Sequence, residues 1–126
     1  MAPISDTPGT WNPSIYAGQD WAPTLTVAVG GTPVNLTGYT ARMMAKPDYT
    51  ASTATLSLTT GGSGITLGGT AGTIALSQTS TQTAALGAAL SYAQTQLLYD
   101  LELVSSGTVV TRLLQGVITV YPEVTR

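Results

Sequence analysis

The sequence predicts an all-β fold, an Ig-like or jelly-roll-type antiparallel β-sandwich. Three observations carry this. Short runs of alternating apolar and polar residues recur along the chain with turn signals between them, giving seven to nine candidate strands. Only one segment has the makings of a helix, over about 78–87. The length, 126 residues, suits one domain with a core of its own. A closed barrel is the alternative architecture.

Residues 1–20 form a separate zone, an extended N-terminal arm ahead of a single sandwich domain over 21–126. Pro3, Pro8 and Pro13 interrupt any ladder there, yet Ile4, Trp11, Ile15 and Tyr16 supply apolar anchors, and Trp21 follows directly. These five residues are the candidate partner-binding set. The arm packs either across its own domain or onto a neighbour. The aromatic cluster of Trp11, Tyr16 and Trp21 serves either to pin the arm or as a stacking platform for sugars or bases.

"TLTVAV" (24–29) sets Leu25, Val27 and Val29 on one strand face, and "GGTPV" after it is a turn. "YTARMMA" (39–45) fits strand or helix, and Lys46-Pro47-Asp48 ends it. "ATLSLTT" (54–60) alternates again. "GITLGGTAGTIALS" (64–77) reads as two short strands around a glycine-rich loop. In "SQTSTQTAALGAAL" (77–90), Ser77 or Thr79 is the N-cap and Gly87 the stop signal. "LLYDLELV" (97–104) and "TVVTRLLQGVITV" (108–120) close the chain as a hairpin.

In that hairpin Leu101, Leu103, Val109, Leu113, Ile118 and Val120 are the expected core. A loop of Ser105-Ser106-Gly107 would pair Val104 with Thr108 and Leu103 with Val109. It would set Asp100 opposite Arg112 as a register-setting pair on the outer face. A bulge near Gln115-Gly116 would restore the phase of the second strand.

Composition narrows the function. There is no Cys and no His, which removes disulfides, thiolate chemistry and the commonest general base and metal ligand. Charged residues make up 8%, with four basic against six acidic, so there is no electrostatic footprint for nucleic acid. A weakly charged, hydroxyl-rich surface favours association. No stretch has the 18 or more apolar residues of a membrane span, and the opening residues lack the basic and apolar regions of a signal peptide. The expectation is a protein that stays in the cytoplasm where it is made or leaves by another route.

Asp100-x-Glu102 places two carboxylates on one strand face, but solvated charges paired with Arg112 account for them. A Ser–Lys nucleophile would need Lys46, the only lysine. "LGGTAG" and "GGSG" lack the lysine of a phosphate loop and read as turns, and "NLT" (35–37) matches a glycosylation acceptor without a secretion signal to give it meaning. The expectation is no catalytic residue, no metal and no cofactor.

"NLTGYTARM" (35–43), "GGSGITLGGTAGTIALS" (61–77) and "YDLELVSSGTVVTRLLQGVITVYPEVTR" (99–126) resemble a family of short structural proteins encoded by tailed bacteriophages, the last block most specifically. The layout is also similar to the N-terminal domain of upper baseplate proteins, where an "LTGYT" strand follows another strand in a β-sandwich. The Pro- and Trp-rich arm and the stretch "ALGAALSYAQTQ" (85–96) lie outside that pattern. The resemblance implies a non-enzymatic virion protein assembled in the bacterial cytoplasm. It would dock to other virion proteins through its arm and sheet edges, as a homo-oligomer of three or more copies, without nucleic acid or membrane. A tail, baseplate or fibre-attachment position is favoured. Capsid decoration (cement) is the alternative, and a carbohydrate-binding adhesin module is the third.

Overall fold

A computed structural model describes residues 8–126. Ile4 lies outside the described residues. In chain order the strands are β1 (Gly9–Thr10), β2 (Ser14–Tyr16), β3 (Thr24–Thr26), β4 (Ala28–Val29), β5 (Thr32–Pro33), β6 (Thr40–Lys46), β7 (Leu56–Thr59), β8 (Ile65–Leu67) and β9 (Thr73–Leu76). Then come helix α1 (Ser80–Ala89), β10 (Thr95–Val104) and β11 (Val110–Tyr121). The fold is all-β and sandwich-like, as the sequence predicts.

The large sheet runs β7–β6–β10–β11, with β1 and β2 both seated on the outer edge of β11. The small sheet runs β3–β9–β8, and β4–β5 is a separate, fully exposed hairpin turned by Gly30-Gly31. The sandwich itself is antiparallel, whereas β1 and β2 join β11 in parallel. An isolated bridge from Thr59, at the end of β7, to Gly64 joins the large sheet to the residue before β8, while a second, Trp21 to Gln78, extends the β3–β9 pairing within the small sheet.

Strict period-two alternation explains the two central strands. In β10, Leu97, Tyr99, Leu101 and Leu103 are buried while Leu98, Asp100, Glu102 and Val104 face outward. In β6, Ala41, Met43 and Ala45 are buried and Arg42 and Met44 exposed, which settles the strand-or-helix ambiguity of 39–45. Opposite them, Ile65, Ile74, Leu76, Val27 and Leu36 complete the core. Of the face predicted for 24–29, only Val27 is buried. Leu25 is half-buried and Val29 sits exposed on the β4–β5 hairpin.

Helix α1 starts with a capping box: the Thr79 hydroxyl accepts from the Gln82 amide at 3.2 Å, and the Gln82 side chain accepts from the Thr79 amide at 2.8 Å. Gly87 does not stop it. The helix continues to Ala89, and Gly87 is a buried contact point at which a Cβ would come within 2.8 Å of the Ala17 methyl.

The closing hairpin forms, but its register differs from the expected one. Val104 pairs with Val110, Leu103 with Thr111 and Glu102 with Arg112. Asp100 faces Gln115, not Arg112. The cause is the turn. Buried Ser105 stays in the ladder: its amide donates to the Val109 carbonyl at 3.0 Å, and its hydroxyl accepts from the Val109 amide at 3.0 Å. The loop is thus Ser106-Gly107-Thr108, with Thr108 rather than glycine in the left-handed region at φ 64°. The bulge also moves, to Leu113, between the pairs Leu101–Leu114 and Glu102–Arg112. It still restores the phase, so Leu101, Leu103, Ile118 and Val120 are buried as expected; Val109 and Leu113 are only half-buried.

Candidate functional site

The arm builds the first candidate surface. Between β1 and β2 it bows over Gly116. The Trp11 amide donates to the Gln115 carbonyl at 3.1 Å, the Val117 amide donates to Asn12 Oδ1 at 2.9 Å, and the Thr119 amide donates to the Pro13 carbonyl at 3.1 Å. The approach is close enough that only glycine fits at 116: a Cβ there would lie 2.3 Å from the Trp11 carbonyl oxygen. Trp11 stacks on Trp21 at 6.5 Å between ring centroids and meets Tyr99 edge-on at 6.5 Å. The Tyr99 hydroxyl donates to the Trp11 carbonyl, and burial pushes that phenol's pKa up to about 12.

Of the predicted partner-binding residues, Ile15 is fully buried and Trp11 and Trp21 are half-buried in internal packing. Tyr16 remains exposed, stacked on Tyr121 at 5.0 Å. The described part of the arm therefore packs on its own domain, and Trp11 and Trp21, stacked on one another, form no open platform.

The second surface is the outer face of the large sheet. Arg42 Nε lies 2.7 Å from Glu102 Oε1 across β6 and β10. Arg112 Nε reaches diagonally to Asp100 Oδ2 at 3.5 Å, so this pair forms although the two residues are not opposite one another. Both pairs are half-open to solvent, where such contacts contribute about 0–1 kcal/mol.

Beside these pairs lies a cleft of about 450 Å³. Met44, Leu98 and Val117 form its apolar floor, one from each of β6, β10 and β11. Lys46, Asp100, Arg112 and Gln115 supply polar groups from the same strands. Tyr49, 88% exposed, stands at the rim on the turn after β6. That turn is held by Asp48, whose Oδ1 accepts from the Thr50 hydroxyl at 2.7 Å and the Thr50 amide at 2.9 Å. The hydroxyl bond above all holds the Asp48 carboxyl below the usual carboxylate range.

Sequence reasoning missed this cleft. Its usable signal was the alternation of β6, which sets Arg42, Met44 and Lys46 on the same side as Asp100 and Glu102. No serine lines the cleft beside Lys46, so the site holds no Ser–Lys pair. Among the described residues no three His, Cys, Asp or Glu side chains converge as a metal cage, and no helix is long and apolar enough to cross a membrane. Neither the protein-family models nor the curated protein sequences contain a match to the chain.

Proposed function

We propose that this protein is a non-enzymatic structural subunit of a tailed-bacteriophage virion, docking non-covalently to other virion proteins in a symmetric assembly of three or more copies. The observation that carries the reading is the closing block over 99–126 with its resemblance to short phage structural proteins. Surface chemistry supports it. The chain has four basic and six acidic residues, and four of these ten are held in the two outer-face ion pairs. Docking such a surface desolvates few charges, so little of the contact energy is lost to stripping water from ions. The exposed β4–β5 hairpin and the edge of β7 offer backbone for contact with a neighbour.

We place the subunit in the tail, baseplate or fibre-attachment region rather than on the capsid. The test is to locate its density in an intact virion by cryo-electron microscopy and to count copies per particle. Density at the tail with a copy number set by three- or six-fold symmetry is the expected result. Density across capsomer joints in hundreds of copies would transfer the assignment to capsid decoration. Absence from purified particles would end the virion reading.

A further inference from the structure

The outer-face cleft has a chemistry that the assembly reading does not use, and four features of it converge on one kind of ligand. The first is size. About 450 Å³ falls within the range of small-molecule sites and is room for one or two six-membered rings.

The second is the stranded aromatic. Tyr49 is 88% exposed, yet it sits on a turn pinned by both Asp48–Thr50 hydrogen bonds. A ring carried into water on a fixed turn offers a flat apolar face, and presenting it needs no further ordering of the backbone.

The third is the layout of the floor. Leu98 is in register with Val117 on one side and Lys46 on the other, and Asp100 is in register with Gln115 and Met44. Each row thus sets apolar groups beside hydrogen-bonding ones, Val117 and Leu98 with Lys46, and Met44 with Asp100 and Gln115, which suits a ligand that presents C–H patches and hydroxyls side by side.

The fourth is charge. Lys46 and Arg112 line the cleft together with Asp48 and Asp100, two cations against two carboxylates. An anionic or cationic ligand would meet a like charge along with its counter-charge. A neutral ligand rich in hydroxyls meets only donors and acceptors: carboxylates accept from hydroxyls, and the guanidinium, ammonium and Gln115 amide donate to them. Hydrogen bonds to charged groups are shorter and stronger than those between neutral ones.

We infer that this cleft binds a neutral pyranose saccharide of one or two rings, its C–H face against Tyr49 and its hydroxyl edge against Asp100, Arg112 and Gln115. The inference stands apart from the virion reading and can fail or hold without it. It also differs from an arm-based glycan platform, since Trp11 and Trp21 are engaged in packing.

The test uses the full ¹⁵N-labelled chain, titrated separately with methyl glucoside, methyl galactoside, N-acetylglucosamine, maltose and lactose, and with glucuronic acid as the charged comparison. At least one neutral probe is expected to saturate with a dissociation constant of about 1 mM or below, shifting amides at Lys46–Tyr49, Leu98–Asp100 and Gln115–Val117. Tyr49→Ala, at a site too exposed to unsettle the fold, should weaken that probe about tenfold while the thermal midpoint stays put. Asp100→Asn should weaken it as well. No localised shifts from any neutral probe, undiminished binding in Tyr49→Ala, or tighter binding of glucuronic acid would each overturn the inference.

Discussion

Replacing Gly116 with alanine isolates what holds the arm to the sandwich. The new methyl would lie 2.3 Å from the Trp11 carbonyl oxygen, 2.5 Å from Asn12 Oδ1 and 3.1 Å from the Trp11 carbonyl carbon. Two of these atoms are backbone, so no side-chain rotation relieves the clash, and the Trp11–Asn12 segment must lift. Lifting breaks the Trp11 amide bond to Gln115, the Val117 amide bond to Asn12 and the Tyr99 hydroxyl bond to Trp11. At about 1 kcal/mol net for each bond, the loss is about 3 kcal/mol. For a domain of this size that lowers the melting midpoint by roughly 10 °C. The control is Gly61→Ala, where a Cβ meets nothing within 4 Å, so the change should stay within about 0.5 kcal/mol. Thermal and urea unfolding supply the midpoints. Hydrogen exchange at the Val117 amide supplies the location, since that proton should lose protection in Gly116→Ala and keep it in the control. If Gly116→Ala melts with Gly61→Ala and the Val117 amide stays protected, the arm is not held where described.

Three further outcomes are expected. Gly87→Ala, which in an exposed helix would stabilise by about 1 kcal/mol, should destabilise by a similar amount because its methyl meets Ala17 at 2.8 Å; urea midpoints should recover when Ala17→Gly is added. Double-mutant cycles should give a larger coupling for Arg42–Glu102 at 2.7 Å than for Arg112–Asp100 at 3.5 Å, both below about 1 kcal/mol and both shrinking in 1 M salt. The Tyr99 phenol ionises near pH 10 when unfolded but only at about 12 when folded, so its contribution is complete below pH 10 and is lost as the pH climbs from about 10 to about 12. The stability difference between the parent and Tyr99→Phe should fall through that window, and a difference that stays flat would contradict the burial of the phenol.

How far the sequence was legible depended on whether a feature was local. β10 announces itself by alternation and α1 by its Ser77 or Thr79 cap, whereas 39–45 fits strand or helix until the burial of Ala41, Met43 and Ala45 decides it. The turn of the closing hairpin misled because glycine is the usual owner of a positive φ: Gly107 is present, but Thr108 takes that conformation and Ser105 remains in the ladder. Gly116 misled for a related reason. It does mark a special backbone site, but the cause is the close passage of Trp11 rather than a bulge. The parallel seating of residues 9–16 on β11 pairs positions more than 100 apart, which no periodicity encodes. The cleft draws on three strands and a turn, so it exists only once the register is set.

That register also decides where a neighbour's strand could be added. β1 and β2 cover the edge of β11 with backbone hydrogen bonds, so the arm shields the longest strand instead of leaving it open. Of the large sheet, this leaves β7, four residues long and tied at Thr59 by its bridge to Gly64. Its inward residues, Leu56 and Leu58, are already buried in the core, and Ser57 and Thr59 alternate with them. A strand added there would gain mainly backbone hydrogen bonds, since Ser57 and Thr59 present little apolar area. The edge carries no lysine or proline to repel an approach, and its shortness is its main protection. Assembly through such an edge would be weak for one copy and depend on repetition around a symmetric ring, where many weak contacts act together. The same low surface charge that would make docking cheap in desolvation would also give it little long-range steering. A ring of copies held by repeated short edges is therefore the arrangement in which this surface would work best.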